Sequence, residues 1–268
     1  MIAAAIQMVS GTDVHRNLDA ALQAIAVAAA HHCELVALPE YFCLLGKQDT
    51  DKIYIAEDLG KGLLQDALKH AAQQHRIWIV AGTLPLQGSE DGHVFNSCLV
   101  FNPAGELIVR YDKMHLFAFD NGIEHYDESR ILQAGRQPVG FDLWSVDGHC
   151  WRIGLSVCYD LRFPELYRSL DADVLLVPSA FTFTTGNAHW ETLLRARAIE
   201  NLAYVVAPAQ GGLHENGRRT WGHSMIVDPW GEVLQQCALG NGLIMAKLDY
   251  ATLMHYRQQL PALKHRLL

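Results

Sequence analysis

The chain has 268 residues, half of them hydrophobic, and a formal net charge of −8. A chain of this size can bury a large core, and because no stretch resembles a linker or a low-complexity tract, we expect a single domain over residues 1–268. The negative charge disfavours nucleic-acid binding, since basic residues are scattered and Arg218-Arg219 is the only adjacent pair; no apolar stretch is long enough to span a bilayer.

The N-terminal segment and the cysteines indicate the compartment. Residues 1–13 have no basic stretch and become polar early, which is typical of a first strand and not of a signal peptide. The six cysteines form no CxxC pair, and a chain of this length does not need disulfides for stability. We therefore expect a reducing, cytoplasmic environment.

The first part of the chain predicts a strand–helix–strand unit. Residues 2–8 are typical of a buried strand, and residues 17–32 carry apolar side chains at helical spacing. A second strand over residues 34–38 ends at Pro39, which has no N–H to give to a ladder, and Glu40 follows directly. Because strands joined by a helix are usually parallel, Glu40 is predicted at the carboxyl end of a sheet.

The pattern then changes to an antiparallel hairpin. The elements predicted here are a helix over 63–75, a strand over 77–83, and two strands over 93–101 and 106–111. The Asn-Pro-Ala-Gly sequence at 102–105 favours a turn between the last two strands, and Lys113 lies just after the second of them. Residues 117–137 show no regular period, so we expect a long loop, which in a compact domain is usually functional.

The second half of the chain loosely repeats this order. A hairpin around Asp147-Gly148 joins two predicted strands, and Cys158 ends the second of them, ahead of a corner at Tyr159-Asp160. The elements predicted in this half are strands over 141–146, 150–157, 173–177, 203–208, 224–227, 232–236 and 243–248, with helices over 162–170 and 188–201. Asn187 is the expected cap of the later helix. The segment from Tyr250 has no evident cap, and we expect it to pack on a partner subunit or to stay mobile.

Two blocks of this kind predict an α/β protein. Each block mixes β–α–β units with hairpins, so its sheet is expected to be mixed. Packing the two sheets together with the helices outside gives a four-layer α-β-β-α sandwich.

Three residues that carry chemistry share one position in the predicted fold. Glu40, Lys113 and Cys158 each lie at or just after a strand end, and strand ends of α/β folds converge on one crevice. Together they supply a base, a cation and a nucleophile, the groups that amide hydrolysis requires. Taken singly, each has an ordinary alternative, a buried filler for the thiol and solvated surface charges for the other two. No metal-ligand spacing is present, since the adjacent His31-His32 pair would point to different faces of a helix, and we expect neither a metal nor another cofactor.

The segments around these residues resemble a known family. LPEYF around Glu40, YDKMHLF around Lys113 and GLSVCYDLRFPELYR around Cys158 resemble the three signatures of the nitrilase superfamily of carbon–nitrogen hydrolases. The resemblance covers nearly the whole chain, and it implies the four-layer sandwich, dimers built on its helices, and a Glu–Lys–Cys triad. It also implies a second glutamate, a role we assign to Glu128, with Glu124 as the nearest rival.

The residues and the resemblance together predict a mechanism. Glu40 takes the thiol proton while Cys158 attacks the amide carbonyl, and Lys113 with the Tyr159 backbone N–H stabilises the oxyanion. Glu40 then protonates the leaving amine, and water hydrolyses the thioester. Glu128 is expected to hold Lys113 or the substrate in place.

The remaining motifs indicate a small carboxylate-bearing substrate. PSAF, APAQ and WGHSMIVDPWGEVL resemble the small amidases of the superfamily, nearest to deaminated-glutathione amidase and ω-amidase, and the first two motifs favour the former. That branch implies cleavage of the amide between an oxoglutaryl group and Cys-Gly; the alternative releases ammonia from 2-oxoglutaramate. Arg162 is placed to grip a carboxylate, unless it forms a structural ion pair with Asp160 or Glu165.

Four aromatic residues are expected around the pocket. Tyr41, Phe117 and Tyr159 directly follow the motif residues or lie close after them, and Phe183 follows a predicted strand end. A plain core position is the alternative for each, because aromatic residues dominate cores.

Two other classes of function remain open at this point. The fold can serve as a catalytically silent binding protein, although the presence of all three triad residues argues against it. A papain-type thiol hydrolase needs a Cys–His pair, and neither His115 nor His223 lies in the sequence context of that class.

Overall fold

Two β-sheets pack face to face at the centre of the molecule, and helices cover their outer surfaces. The computed structural model describes residues 1–267. The strands are β1 (Ile2–Gln7), β2 (Leu35–Ala37), β3 (Trp78–Val80), β4 (Leu84–Gln87), β5 (Val94–Phe101), β6 (Leu107–Asp112), β7 (Ala118–Asp120), β8 (His125–Asp127), β9 (Gly140–Trp144), β10 (Cys150–Leu155), β11 (Val174–Leu176), β12 (Tyr204–Ala207), β13 (Met225–Val227), β14 (Val233–Gln236) and β15 (Gly242–Lys247). The helices are α1 (Val14–Ala30), α2 (Asp51–Tyr54), α3 (Leu63–His75), α4 (Pro164–Leu170), α5 (Phe183–Asn201) and α6 (Tyr250–Gln259), with 3₁₀ helices at Glu128–Arg130, Cys158–Arg162 and Ala262–His265.

Each large sheet is built mainly from one half of the chain. In the first sheet, β1, β2 and β3 are parallel, and β5 runs antiparallel to β3, β4 and β6. In the second sheet, β10, β11 and β12 are parallel and are flanked by antiparallel β9 and β13, with β14 outside β13. The last strand, β15, returns to the first sheet and pairs antiparallel with the whole of β1.

Alternate side chains of one strand face different layers, as the two-residue period of a strand requires. In β1, Ala3 and Ala5 belong to the core between the two sheets, whereas Ala4 and Ile6 pack with residues of α1 and α3. On the far side, α4 and α5 contribute residues such as Leu166 to the core of the second sheet. The predicted α-β-β-α sandwich with two mixed sheets is confirmed.

The helix predicted over residues 188–201 is present and ends where expected, but it begins five residues earlier, so the predicted start and the Asn187 cap are wrong. Thr182 is the cap, and its side chain accepts a hydrogen bond from the Thr185 backbone N–H. Glycine has a low intrinsic helix propensity, so Gly186 makes the first turn of α5 look non-helical in the sequence. The glycine is required because a Cβ at that position would lie 2.2 Å from the Cβ of Trp221.

The long loop expected over residues 117–137 contains regular structure. Strands β7 and β8 form an antiparallel hairpin, and a short 3₁₀ helix begins at Glu128. Three-residue strands are too short to show a period, which is why the sequence pattern missed them. The segment nonetheless brings Glu128 back toward the strand ends.

The C-terminal segment is held against its own chain, and the absence of a cap was a wrong prediction. Asp249 caps α6 by accepting a hydrogen bond from the Thr252 N–H. Arg257 on this helix donates to the backbone carbonyl of Leu202 and to the carboxylate of Asp173. Strand β4 and the one-turn helix α2 were also not predicted. Within residues 1–267, no helix has the length and apolar character needed to cross a membrane.

Candidate active site

Glu40, Lys113 and Cys158 meet in one enclosed cluster. Each follows a strand end within three residues, Glu40 after β2, Lys113 after β6 and Cys158 after β10. The Lys113 ammonium donates to Glu40 Oε1 at 2.9 Å, and both side chains are only 1% exposed. Cys158 is 8% exposed, and the charges of Glu40 and Lys113 both act on its thiol.

Glu128 completes the cluster from the far side of the lysine. Lys113 Nζ donates to both of its carboxylate oxygens, at 3.0 and 2.7 Å. The Tyr41 hydroxyl donates to Oε1 at 2.8 Å, and the Phe117 backbone N–H donates to Oε2 at 2.7 Å. The rival glutamate, Glu124, instead accepts from Thr184 on the protein surface. One buried cation therefore lies between a buried carboxylate, that of Glu40, and a partly buried one, that of Glu128.

Three groups that the sequence analysis missed hold Glu40 in position. The Asn96 side-chain amide donates to Oε1 and the Ala180 backbone N–H donates to Oε2, both at 2.9 Å. Gln210 donates to the Glu40 backbone carbonyl at 3.1 Å. A polar residue inside the apolar strand β5 was a signal that could have found Asn96. A backbone N–H such as that of Ala180 leaves no mark in a sequence.

Cys158 occupies a strained corner between strand and helix. Its φ of +50° lies in the left-handed region, which costs a non-glycine residue roughly 1–3 kcal/mol. Asp160 braces the corner by accepting from the Val157 N–H at 2.8 Å and from the Tyr111 hydroxyl at 2.7 Å. Because Tyr111 lies on β6, this carboxylate ties the thiol corner to the segment that carries Lys113. The Tyr159 N–H lies in the first turn of the 3₁₀ helix, where it has no partner inside the helix.

The two carboxylates have opposite pKa shifts. Burial raises the pKa of Glu40 above its usual value, against the attraction of Lys113. Burial acts in the same direction on Glu128, but Lys113 and the hydrogen bonds that Glu128 accepts outweigh it and hold the pKa of Glu128 below its usual value. When two neighbouring acids are shifted apart in this way, the one with the raised pKa is suited to carry protons and the other stays ionised.

The thiol and the lysine are held in defined protonation states. Burial and the charge of Glu40 raise the pKa of Cys158 well above its ordinary value, so the resting group is a neutral thiol that needs a base. Burial opposes the charged form of Lys113, but Glu128 and Glu40 raise its pKa above the usual value. The cluster therefore contains a fixed ammonium, a poised base and a protonated nucleophile.

This arrangement predicts the pH dependence of the reaction. Glu40 must be ionised to accept the thiol proton, so the rate should fall as the pH decreases through its raised pKa, at a higher pH than for an ordinary glutamate at about 4.3. The raised pKa of Cys158 should add no alkaline limb near neutral pH. A profile of kcat/KM against pH measures both limbs. An acid limb at or below the pKa of an ordinary glutamate would contradict this assignment of the base.

A cavity opens directly onto Cys158. Its lining residues are Phe117, Cys158, Tyr159, Arg162, Ala180, Phe181, Thr182 and Thr185. Phe117, Tyr159 and Arg162 were predicted around the pocket, and the structure brings all three to it. Tyr41 lies beside the cluster, in contact with Glu128 and not with this cavity.

Phe183 does not reach the pocket, and this is a correction to the predicted lining. As the first residue of α5 it is turned away, with its ring 5.1 Å from that of Trp221 and beneath the Arg219 guanidinium. Phe181, two residues earlier, takes the expected place.

Arg162 faces the cavity without a carboxylate partner. Within residues 1–267 it forms no ion pair shorter than 4 Å, so it pairs with neither Asp160 nor Glu165. Its guanidinium lies 3.3 Å from His189 Nδ1 and stacks over the rings of Tyr159 and Phe181. A planar cation in this setting is suited to bind a carboxylate of a ligand.

Neither histidine considered in the sequence analysis is placed as a base for the thiol. His115 Nδ1 contacts the Asp160 carboxylate at 2.6 Å and its ring stacks on Phe163. His223 contacts the backbone carbonyl of Trp221. The geometry therefore favours a carboxylate base.

Comparisons with known proteins agree with this site. A model of the carbon–nitrogen hydrolase family matches residues 2–258. A deaminated glutathione amidase of Synechocystis is 40% identical over 271 residues, which cover 99% of this chain and 97% of that protein. The crystal structure of the C. elegans NitFhit protein matches 99% of this chain with a TM-score of 0.90 and 38% identity, and this chain spans 65% of that longer one. The structure of Saccharomyces cerevisiae Nit3, a member of branch 10 of the nitrilase superfamily, covers 100% of this chain and 97% of its own, with a TM-score of 0.85 and 29% identity.

Proposed function

The chain belongs to the carbon–nitrogen hydrolase family, and from that premise we propose that it hydrolyses deaminated glutathione to 2-oxoglutarate and Cys-Gly through a thioester on Cys158. Its enzyme class is a hydrolase acting on the amides of small molecules. The observation that carries the proposal is the placement of Cys158 beside the ion pair of Glu40 and Lys113. Its cavity is lined by Arg162, which has no carboxylate partner within 4 Å among residues 1–267. The likeness to a deaminated glutathione amidase supports the choice of substrate.

The first half of the reaction forms the thioester. Glu40 accepts the proton of the Cys158 thiol as the sulfur attacks the carbonyl carbon of the amide. The carbonyl oxygen becomes an oxyanion, which the Lys113 ammonium and the Tyr159 N–H stabilise. Losing one such donor typically costs about 3–4 kcal/mol. Glu40 then gives its proton to the amine nitrogen, the C–N bond breaks, and the dipeptide leaves.

The second half restores the enzyme. Glu40 takes a proton from a water molecule that attacks the thioester carbonyl, and the same cation and N–H stabilise the new oxyanion. The C–S bond breaks, the sulfur recovers its proton, and the acid product leaves. Glu128 keeps Lys113 charged and oriented throughout, and Phe117 and Tyr159 form the walls beside the acyl group.

The alternative is an ω-amidase that releases ammonia from 2-oxoglutaramate. One observation favours it: the cavity at Cys158 is lined by a single cation, Arg162, which suffices for a substrate with one carboxylate. Both readings use the same acyl group and the same thioester, and they differ only in the leaving group.

A turnover comparison tests the proposed substrate. Rates on deaminated glutathione, 2-oxoglutaramate and a simple nitrile should differ, with kcat/KM highest on deaminated glutathione. The nitrile should be the poorest because it offers no carboxylate for Arg162. Comparable rates on all three compounds would contradict the proposal, and preference for 2-oxoglutaramate would establish the alternative.

We further infer that the protein acts in the cytoplasm as a homodimer, without nucleic-acid or membrane partners. The net charge of −8 argues against nucleic-acid binding, and the free cysteines suit a reducing cytoplasm. Ile199 on α5 is 47% exposed and lies next to Gly231, and Trp230, the residue before that glycine, is 48% exposed. These apolar side chains on the outer surface suit contact with a second copy of the chain. Light scattering measures the mass in solution, and a single-chain mass would contradict the dimer.

A further inference from the structure

A second cavity adjoins the catalytic cluster through Glu128 and Tyr41. Its lining also includes Phe117, Tyr126, Lys52 and Arg218. Phe117 lies in the walls of both cavities, so the two are neighbours across one aromatic ring. No residue of this second cavity other than Glu128 was assigned a catalytic role above.

Two cations, Lys52 and Arg218, line this cavity together with three carboxylates. Glu128 is paired with Lys113, Asp127 accepts from Ser129, and Asp49 is left to face the two cations. The Lys52 side chain is 9% exposed and its ammonium lies 4.7 Å above the Tyr41 ring. The Arg218 guanidinium lies 4.9 Å above the Tyr126 ring. Burial, the largest effect, lowers the pKa of Lys52, and Arg218 lowers it further, while Asp49 and Glu128 act in the opposite direction; the net shift is downward.

The only carboxylate within 4 Å of either cation, among residues 1–267, is Asp49. One of its oxygens lies 3.5 Å from Lys52 Nζ and 3.7 Å from an Arg218 nitrogen, both beyond the usual length of a charge-assisted hydrogen bond. The Asp49 side chain is 65% exposed, so solvent weakens its share of both pairs. Lys52 is buried and Arg218 is partly buried, and cations in such places are stabilised by closer partners than this, which an anionic ligand would supply.

The shape of deaminated glutathione fits two such cation sites. The molecule has one carboxylate at its oxoglutaryl end and another at its glycine end, with the scissile amide between them. The acyl half must lie in the cavity that contains Cys158 and Arg162, because its carbonyl carbon bonds to the sulfur. The leaving half departs from the same carbon in another direction, and the adjoining cavity beyond Phe117 is available to it.

We propose that Lys52 and Arg218 bind the glycine carboxylate of the dipeptide leaving group and so select amides that carry a carboxylate at both ends. This inference rests on the proposed function. The two residues would contact only the leaving group. The dipeptide released from deaminated glutathione is long enough to reach them, whereas the ammonia released from 2-oxoglutaramate is not, so they would favour deaminated glutathione.

The test uses three substrates and three variants. The substrates are deaminated glutathione, the same compound with its glycine carboxylate converted to a carboxamide, and 2-oxoglutaramate. The variants Lys52→Met and Arg218→Gln should each lose about 10- to 100-fold in kcat/KM on deaminated glutathione, mainly through KM, because each leaves a substrate carboxylate without a partner. The control Lys69→Met removes a solvent-exposed positive charge from α3, away from both cavities, and should change none of the three rates.

The carboxamide analogue keeps the test valid even where a variant folds poorly, because it needs only the unmodified protein. The kcat/KM of the unmodified protein should be lower on the carboxamide than on deaminated glutathione, by a factor similar to the loss expected for the variants. Lys52→Met should lower kcat/KM on the carboxamide little further, because the lysine and the glycine carboxylate are partners of one interaction. On 2-oxoglutaramate the two variants should lose far less than on deaminated glutathione.

Equal losses on deaminated glutathione and 2-oxoglutaramate would overturn the inference, since they would show that the cations only support Tyr41 and Glu128. The inference would also be overturned if the unmodified protein cleaved the carboxamide at the same rate as deaminated glutathione. Both outcomes leave the proposed function intact. If the unmodified protein cleaves 2-oxoglutaramate but not deaminated glutathione, the proposed substrate is wrong and this inference is wrong with it.

Discussion

Replacing Cys158 with alanine is expected to lower kcat on the amide substrate by about 10⁴-fold or more, because a site without its nucleophile keeps only oxyanion stabilisation and binding. The substitution removes one sulfur atom from an enclosed position and leaves the ion pair of Lys113 with Glu40 in place. Substrate binding should therefore persist while turnover is lost. Steady-state kinetics give the change in kcat, and equilibrium binding of the substrate to the inactive variant gives the affinity.

Cys150→Ala is the matched control, because it also replaces a cysteine with alanine, at a partly exposed position on β10. It should retain full activity, and both variants should unfold near the temperature of the unmodified protein. A Cys158→Ala variant with substantial turnover would exclude a covalent mechanism at this residue.

Replacing Lys113 with methionine is expected to abolish activity and also to destabilise the fold. The ammonium lies within 3.0 Å of oxygens from both Glu40 and Glu128, so its loss leaves one buried and one partly buried carboxylate without a countercharge. Breaking a buried ion pair by removing one partner typically costs about 3–5 kcal/mol. Chemical denaturation of the variant and of the unmodified protein measures the difference in unfolding free energy.

The pH dependence of this destabilisation has a definite sign. Without Lys113 the pKa values of both glutamates should rise above those of the unfolded chain. The variant should therefore be most stable at low pH and should lose stability as the pH increases from the unfolded value of about 4.3 through the raised folded values. A second substitution, Glu128→Gln, removes one of the two stranded charges and should recover part of the stability but none of the activity. A Lys113→Met variant as stable as the unmodified protein at neutral pH would contradict the charge arrangement.

The layered architecture could be predicted because it follows from local patterns. Strand runs ending at Pro39 and at Cys158 are visible in the apolar periodicity, and the order of strands and helices then limits how the sheets can pack. The placement of Glu40, Lys113 and Cys158 after strand ends was the basis for expecting them together, and the structure pairs Glu40 with Lys113 and places Cys158 beside them. Their catalytic roles stay predictions until the variants are measured.

What the sequence could not predict depends on contacts between distant segments. The start of α5 was missed because Gly186 looks like a helix breaker until Trp221 is placed against it. Because the helix begins at Phe183, that side chain turns away from the pocket, and Phe181 lines the pocket instead. The support of Glu40 by the Ala180 N–H is invisible because it involves only backbone.

The second cavity shows the same limit. Lys52 lies on a single turn of helix and Arg218 in a loop near the other end of the chain, so no spacing rule connects them. Lys52 is close to Asp49 along the chain, but only the fold brings Arg218 to that carboxylate and both cations to the neighbourhood of Glu128.

The most direct measurement is the mass of the protein quenched with acid during its first turnover of deaminated glutathione. The thioester mechanism predicts one added oxoglutaryl group per chain, located by peptide mapping on the peptide that contains Cys158 and absent from Cys158→Ala. Full turnover with no adduct on that peptide, or an adduct on another residue, would contradict the role assigned to Cys158.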